Sequence, residues 1–130
     1  MHELSLMSAV VEQIEALSHK ERFNHVSEIR LSVGILCGVD SACLEFCFSE
    51  ATRRSVLDGA KLIIEIVPLE LICKSCSKVS FTLNPAQLVC SFCGANHVSI
   101  GNGREFKIID LEVESNNSMD INGFGQALIN

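Results

Sequence analysis

Cysteines at positions 73, 76, 90 and 93 stand in two pairs, Cys73-Lys74-Ser75-Cys76 and Cys90-Ser91-Phe92-Cys93-Gly94, with thirteen residues between the pairs. Two residues between cysteines let one tight turn aim two sulfurs at a single ion. Two such turns, brought together by hairpins, supply four sulfurs in a tetrahedron. The gap is slightly shorter than the commonest spacing for this arrangement and within what a hairpin can span. Gly94, just past the second pair, suits the positive φ that such a turn requires. Zinc is the natural ion for four thiolates in a reducing compartment. Iron in a rubredoxin-like site takes the same ligands, and spacing does not separate the two. Four protein ligands leave no open coordination position, so the ion would be structural, not catalytic. A disulfide or thioredoxin-like redox role would need only one of the pairs.

A second constellation opens the chain: Met1-His2-Glu3. The amine of Met1, the amide nitrogen of His2 and the imidazole of His2 can form fused chelate rings around one ion. Nitrogen donors in a plane suit nickel(II) or copper(II) better than magnesium or calcium. Glu3 would add a carboxylate, or would favour the start of a following helix through the helix dipole. Taken alone, His2 is a weak signal and is better explained as an incidental exposed histidine. The other histidines read as surface groups: His19 and His25 flank the end of a helix, and His97 lies four residues past Cys93. Cys37, Cys43 and Cys47 lie in apolar surroundings. Cys43 and Cys47 fall one helical turn apart, and they read as small core residues.

The elements that must position these groups follow from periodicity. From Glu3 to His19, Leu4, Met7, Val10, Val11, Ile14 and Leu17 recur at spacings of three and four, a helical stripe. In Ser27 to Ile35, Ile29, Leu31, Val33 and Ile35 alternate with Glu28, Arg30, Ser32 and Gly34, a strand with one buried face. Asp40 or Ser41 caps a second helix running to about Arg54, with Cys43, Leu44, Cys47, Phe48 and Ala51 on its apolar face. Asp58-Gly59 marks a turn, and Lys61 to Val67 is a β-branched strand ended by Pro68. A helix joining two strands suggests a parallel pair with a right-handed crossover. A third strand runs from Glu105 to Glu114. Its apolar residues alternate in one phase at Phe106 and Ile108 and in the other at Ile109, Leu111 and Val113, which predicts a bulge or bend near Ile108 and Ile109. After Glu114 the residues are rich in Asn, Ser and Gly and read as a flexible tail.

The 130 residues suffice for one domain or for a domain plus a small stabilised module, and 48% hydrophobic content allows a real core. A net charge of −6 argues against sequence-independent nucleic-acid binding, which needs a basic surface. No apolar run is long enough to span a bilayer, and no basic, cleavable leader opens the chain. The expectation is a cytoplasmic protein with reduced thiols, no membrane association and no nucleic-acid partner. No nucleophile–base constellation and no phosphate loop are present, so an enzyme is not expected.

The opening MHELSLM, the CKSC with its later CSFCG, and the closing GREFKIIDLEVE together resemble the HypA/HybF family of nickel metallochaperones for hydrogenase maturation. The resemblance runs from Met1 to about Glu114, with the three motifs in the family's order. It implies an α+β fold: two helices on a small three-stranded mixed sheet form a nickel-binding domain, residues 1–68 plus 105–114. A β-hairpin zinc-ribbon-like domain, residues 69–104, is inserted into it, and residues 115–130 form the tail. It further implies nickel(II) as transported cargo, held by His2 with the Met1 amine and Glu3. Structural zinc would be held by Cys73, Cys76, Cys90 and Cys93. The implied partners are the nickel-handling GTPase HypB and the NiFe-hydrogenase large-subunit precursor, with urease-maturation factors for some members. The rival readings are a zinc-ribbon protein adaptor without nickel, in which His2 would be dispensable, and a rubredoxin-like iron electron carrier, which would be red.

Overall fold

The computed structural model describes residues 3–114 and the strand at 118–120. In chain order the elements are α1 (Glu3–Glu21), β1 (Val26–Gly34), a single 3-10 turn (Ile35–Cys37), α2 (Ser41–Ala51), β2 (Lys61–Val67), β3 (Leu69–Cys73), β4 (Val79–Thr82), β5 (Val98–Ile100), β6 (Phe106–Val113) and β7 (Ser118–Asp120). The strands form a four-stranded sheet in the order β2-β1-β6-β7 and a three-stranded sheet in the order β4-β3-β5. The architecture is the α+β one expected, two helices with a small sheet and a second small β module. No helix among the described residues is long and apolar enough to cross a membrane.

The chain forms two compact units. The first takes in the described residues within Met1–Leu31, Val39–Glu65 and Lys107–Asn130, and the second takes in Ser32–Gly38 and Ile66–Phe106. In the first unit α1 packs on α2. Leu6, Met7, Val10, Ile14 and Leu17 of α1 are buried, as are Leu44, Cys47 and Phe48 of α2. Leu4, expected on the buried stripe, is 54% exposed, and Leu6 takes the inward place. The reason lies at the helix start: Glu3 itself turns inward, its Oε2 accepting the Asp40 N–H at 3.2 Å, and that rotation carries Leu4 out. A second carboxylate, Glu15 Oε2, accepts the Val56 N–H at 2.8 Å. Both contacts tie α1 to the segments bounding α2. Asp40 provides the cap of α2, its Oδ1 accepting from the N–H groups of Ala42 (2.8 Å) and Cys43 (3.2 Å).

β1 and β6 run antiparallel: the Gly34 N–H donates to Glu105 O, and the Glu114 N–H donates to His25 O. Nine residues separate these positions on each strand, whereas hydrogen-bonded pairs of an unbroken antiparallel ladder recur every two residues. The ladder therefore slips once, equally on both strands. Burial shows the same slip, with Phe106 and Ile108 buried in one phase and Leu111 and Val113 in the other. The expected irregularity near Ile108 and Ile109 is thus shared with β1 instead of being an extra residue in β6 alone. The three expected strands gain a fourth, β7, within the segment read as a tail. It pairs antiparallel with β6 at Asp110↔Asp120, Leu111↔Met119 and Glu112↔Ser118, satisfying backbone groups along an edge that would otherwise face water. The rest of the tail, residues 115–117 and 121–130, lies outside the described residues.

In the second unit β3 is central. It pairs with β4 from Leu69↔Thr82 to Ile72↔Val79 and with β5 from Leu71↔Ile100 to Cys73↔Val98. Leu69, Leu71 and Phe106 are buried, while Phe81, Leu83 and Phe92 are each more than half exposed. The apolar core of this unit is small.

Candidate metal centre

Each cysteine pair sits in the same turn. At the end of β3 the Cys73 N–H donates to Lys78 O at 3.0 Å and Ser77 N–H returns to Cys73 O at 3.1 Å. At the second pair Cys90 N–H donates to Ala95 O and Gly94 N–H to Cys90 O, both at 2.8 Å. The position after each pair has positive φ: 65° at Ser77 and 75° at Gly94. Glycine at 94 announces this conformation in the sequence. Serine at 77 does not, and only the equivalence of the two turns would have exposed it.

The turns also aim amides at sulfur. Cys73 Sγ accepts from the N–H groups of Ser75 (3.3 Å) and Cys76 (3.4 Å), and Cys90 Sγ accepts from Phe92 N–H (3.4 Å). Across the turns Cys73 Sγ lies 3.6 Å from Cys93 Sγ, and Cys76 Sγ lies 3.6 Å from Cys90 Sγ. All four sulfurs fall within 4.8 Å of one another. A tetrahedral ion with metal–sulfur bonds of about 2.3 Å sets its sulfurs about 3.8 Å apart, so the cluster fits a four-thiolate ion, zinc included, with little movement. Cys73 and Cys90 are buried, Cys76 is half-buried and Cys93 is exposed. The Lys78 ammonium lies 5.0 Å from the centroid of the Phe92 ring, linking the two turns from outside.

Four thiols this close share their protons unequally. Amide hydrogen bonds from Cys76 and Ser75 bring Cys73 down to about 6, although burial opposes them. At Cys93 an amide hydrogen bond from Ala95 acts to lower the value, but the neighbouring Cys73 sulfur and burial prevail and push it up to about 11. Cys90 is lowered too, by amide hydrogen bonds from Cys93 and Phe92, and an incoming cation displaces the protons that remain.

Of the amino-terminal donors, Met1 and His2 lie outside the described residues. Glu3 is described: it is 5% exposed and hydrogen-bonded to the start of α2. Cys43 and Cys47 lie on α2 with sulfurs 4.0 Å apart, Cys43 half-buried and Cys47 buried. Cys37 sits apart on the 3-10 turn, half-buried. His19 and His97 are exposed, and His25 Nε2 is 2.9 Å from Asp58 O. None of the three joins the four-cysteine cluster.

Comparison with known proteins gives one answer. Residues 1–113 match a family model described as "Hydrogenase/urease nickel incorporation, metallochaperone, hypA". A hydrogenase maturation factor HypA from Geobacter metallireducens is 39% identical over 114 residues, covering 88% of this chain and all of that protein. One from Methylocella silvestris is 38% identical with the same coverage. Among solved structures, the solution structure of the Ni metallochaperone HypA from Helicobacter pylori has a TM-score of 0.60 at 27% identity, covering 87% of this chain and 97% of that one.

Proposed function

The chain belongs to the HypA family of hydrogenase and urease nickel-incorporation metallochaperones, and from that premise we propose that it binds Ni(II) at its amino terminus and delivers it to the NiFe-hydrogenase large-subunit precursor in the cytoplasm. His2 is the principal nickel ligand, with the Met1 amine and Glu3 beside it. Cys73, Cys76, Cys90 and Cys93 hold structural zinc, which closes the second unit. The nickel-handling GTPase HypB is a partner, and urease-maturation factors are further partners. The protein is a carrier and not a catalyst.

The observation that carries this reading is the four-sulfur cluster set in a chain whose family match begins at Met1 and runs through it to residue 113. The two kinds of site divide the labour. A closed four-thiolate site gives up its ion slowly and serves the fold. A terminal chelate can release its ion with little movement of the chain, as a carrier must.

The reading is tested by complementation. A bacterium lacking its own family member, and so short of hydrogenase activity, should recover it when given this chain with a native amino terminus. The His2→Ala chain should fail at low nickel and be bypassed by millimolar nickel in the medium. Equal rescue by both chains would defeat the assignment of His2.

A further inference from the structure

β2 (Lys61–Val67) is the outer strand of the four-stranded sheet, beside β1, and among the described residues no strand pairs with its free side. The other edge strands are short: three residues in β7, four in β4 and three in β5. β2 has seven, five of them apolar, and none is buried. Ile66 is 44% exposed. Short strands and prolines are common means of keeping such an edge from meeting another chain. β2 uses neither within its length, and its only charged residues are Lys61 and Glu65.

Those charges stand where a second copy of the strand would match them. Alternate side chains point to opposite faces, so Lys61, Ile63 and Glu65 share one face and Leu62 and Ile64 the other. In an antiparallel pair, directly opposite residues lie on one face. Two-fold symmetry between identical strands therefore sets one residue opposite its own copy. With Ile63 at the centre, Lys61 stands opposite the partner's Glu65 and Leu62 opposite the partner's Ile64. Centring on Leu62 instead sets Lys61 against the partner's Ile63. Centring on Ile64 sets Glu65 against the partner's Ile63, and centring on Glu65 opposes two carboxylates. Glu65 is held on its face by Arg30, 3.7 Å away, and stays half exposed. Arg30 also reaches Asp110 at 3.6 Å, so Glu65 is not its only anion.

We propose that β2 is a self-association edge: two copies of this chain pair these strands antiparallel about Ile63, joining two four-stranded sheets into one. The strand's free amides and carbonyls find partners, Ile63 meets its own copy, and a Lys–Glu pair forms at each end. The contact is isologous and closes after two copies, because each β2 edge is then occupied. Five paired residues a side fall well short of the roughly 20–30 of a stable interface, so the dimer is weak and depends on concentration.

The test is analytical ultracentrifugation of untagged, zinc-loaded, reduced protein from micromolar to near-millimolar concentration. Reducing conditions exclude disulfide-linked copies. The wild type should pass from monomer to dimer as concentration rises. Lys61→Glu and Glu65→Lys should each weaken the dimer about tenfold, since each sets two like-charged pairs opposite one another. Glu65→Lys is the sharper case, because it reduces the net charge of −6, which by itself would favour association. An equimolar mixture of the two variants should recover the wild-type affinity within about threefold, because each edge then faces charges of opposite sign. Should either reversal lose its zinc or its circular dichroism, Lys61→Gln and Glu65→Gln take their place, and each should weaken the dimer about threefold. A wild type that stays monomeric, a dimer indifferent to the substitutions, or a mixture of the reversed chains no tighter than either alone would each overturn the pairing about Ile63.

Discussion

A thiol that is already ionised costs nothing to deprotonate when a metal arrives, and this sets how the four-cysteine site responds to pH. Cys73 is held down to about 6, below the ordinary thiol range, so its stabilising effect is complete above that range and fades as pH falls through about 6. Cys93, pushed up to about 11, behaves oppositely: it favours the metal-free fold at lower pH and loses that effect as pH rises toward 11. Cys90 is lowered as well, by amide hydrogen bonds from Cys93 and Phe92, so zinc binding to metal-free protein should release fewer protons at pH 7.5 than at pH 5, measured by calorimetry in buffers of different ionisation heat. Equal release at both would contradict the lowered Cys73 and Cys90. Nickel affinity should also weaken as pH falls through the histidine range, because the imidazole and the amine must lose protons to bind. The grouping of the four cysteines was legible from spacing alone. Ser77 was not, because its role is a backbone angle and serine gives no sign of it.

At the scale of elements, two backbone positions carry sharp expectations. A methyl group on Gly34 would strike the backbone of Gly103, where Leu36 N–H donates to Gly103 O at 2.7 Å. Gly34→Ala should destabilise the protein by about 1–3 kcal/mol, seen as a lowered thermal midpoint in the zinc-loaded state. Ser77 bears a φ of 65° that glycine adopts freely, so Ser77→Gly should stabilise the zinc-loaded protein by about 1 kcal/mol. An unchanged midpoint would mean the turn stores no strain. α1, α2, β1 and β6 were readable because each alternates or repeats against a buried face, and β2 because it is a β-branched run between a turn and a proline, although none of its residues is fully buried. β3, β4 and β5 were not read individually, being three to five residues long; β3 alternates at Leu69, Leu71 and Cys73, but over too few residues to stand out beside the cysteine turns. β7 was hidden for a related reason: its three residues pair through backbone groups, which composition does not report.

For the whole molecule, the two units differ in what holds them. The first has two helices over a sheet and a continuous set of buried aliphatic residues. The second exposes Phe81, Leu83 and Phe92 and buries few large side chains, so metal binding supplies much of its folding energy. Chelation of the zinc under reducing conditions should lower amide protection along β3, β4 and β5 while protection in α1 and α2 persists, as hydrogen exchange would show. Simultaneous loss in both units would mean that they fold as one. The central claim is that the amino terminus is a nickel site. Its most direct test is titration calorimetry of Ni(II) into untagged, zinc-loaded protein, wild type beside His2→Ala. The account predicts one nickel bound by the wild type and that binding lost in His2→Ala with its zinc unchanged. Equal binding by the two proteins, or none by either, would contradict it.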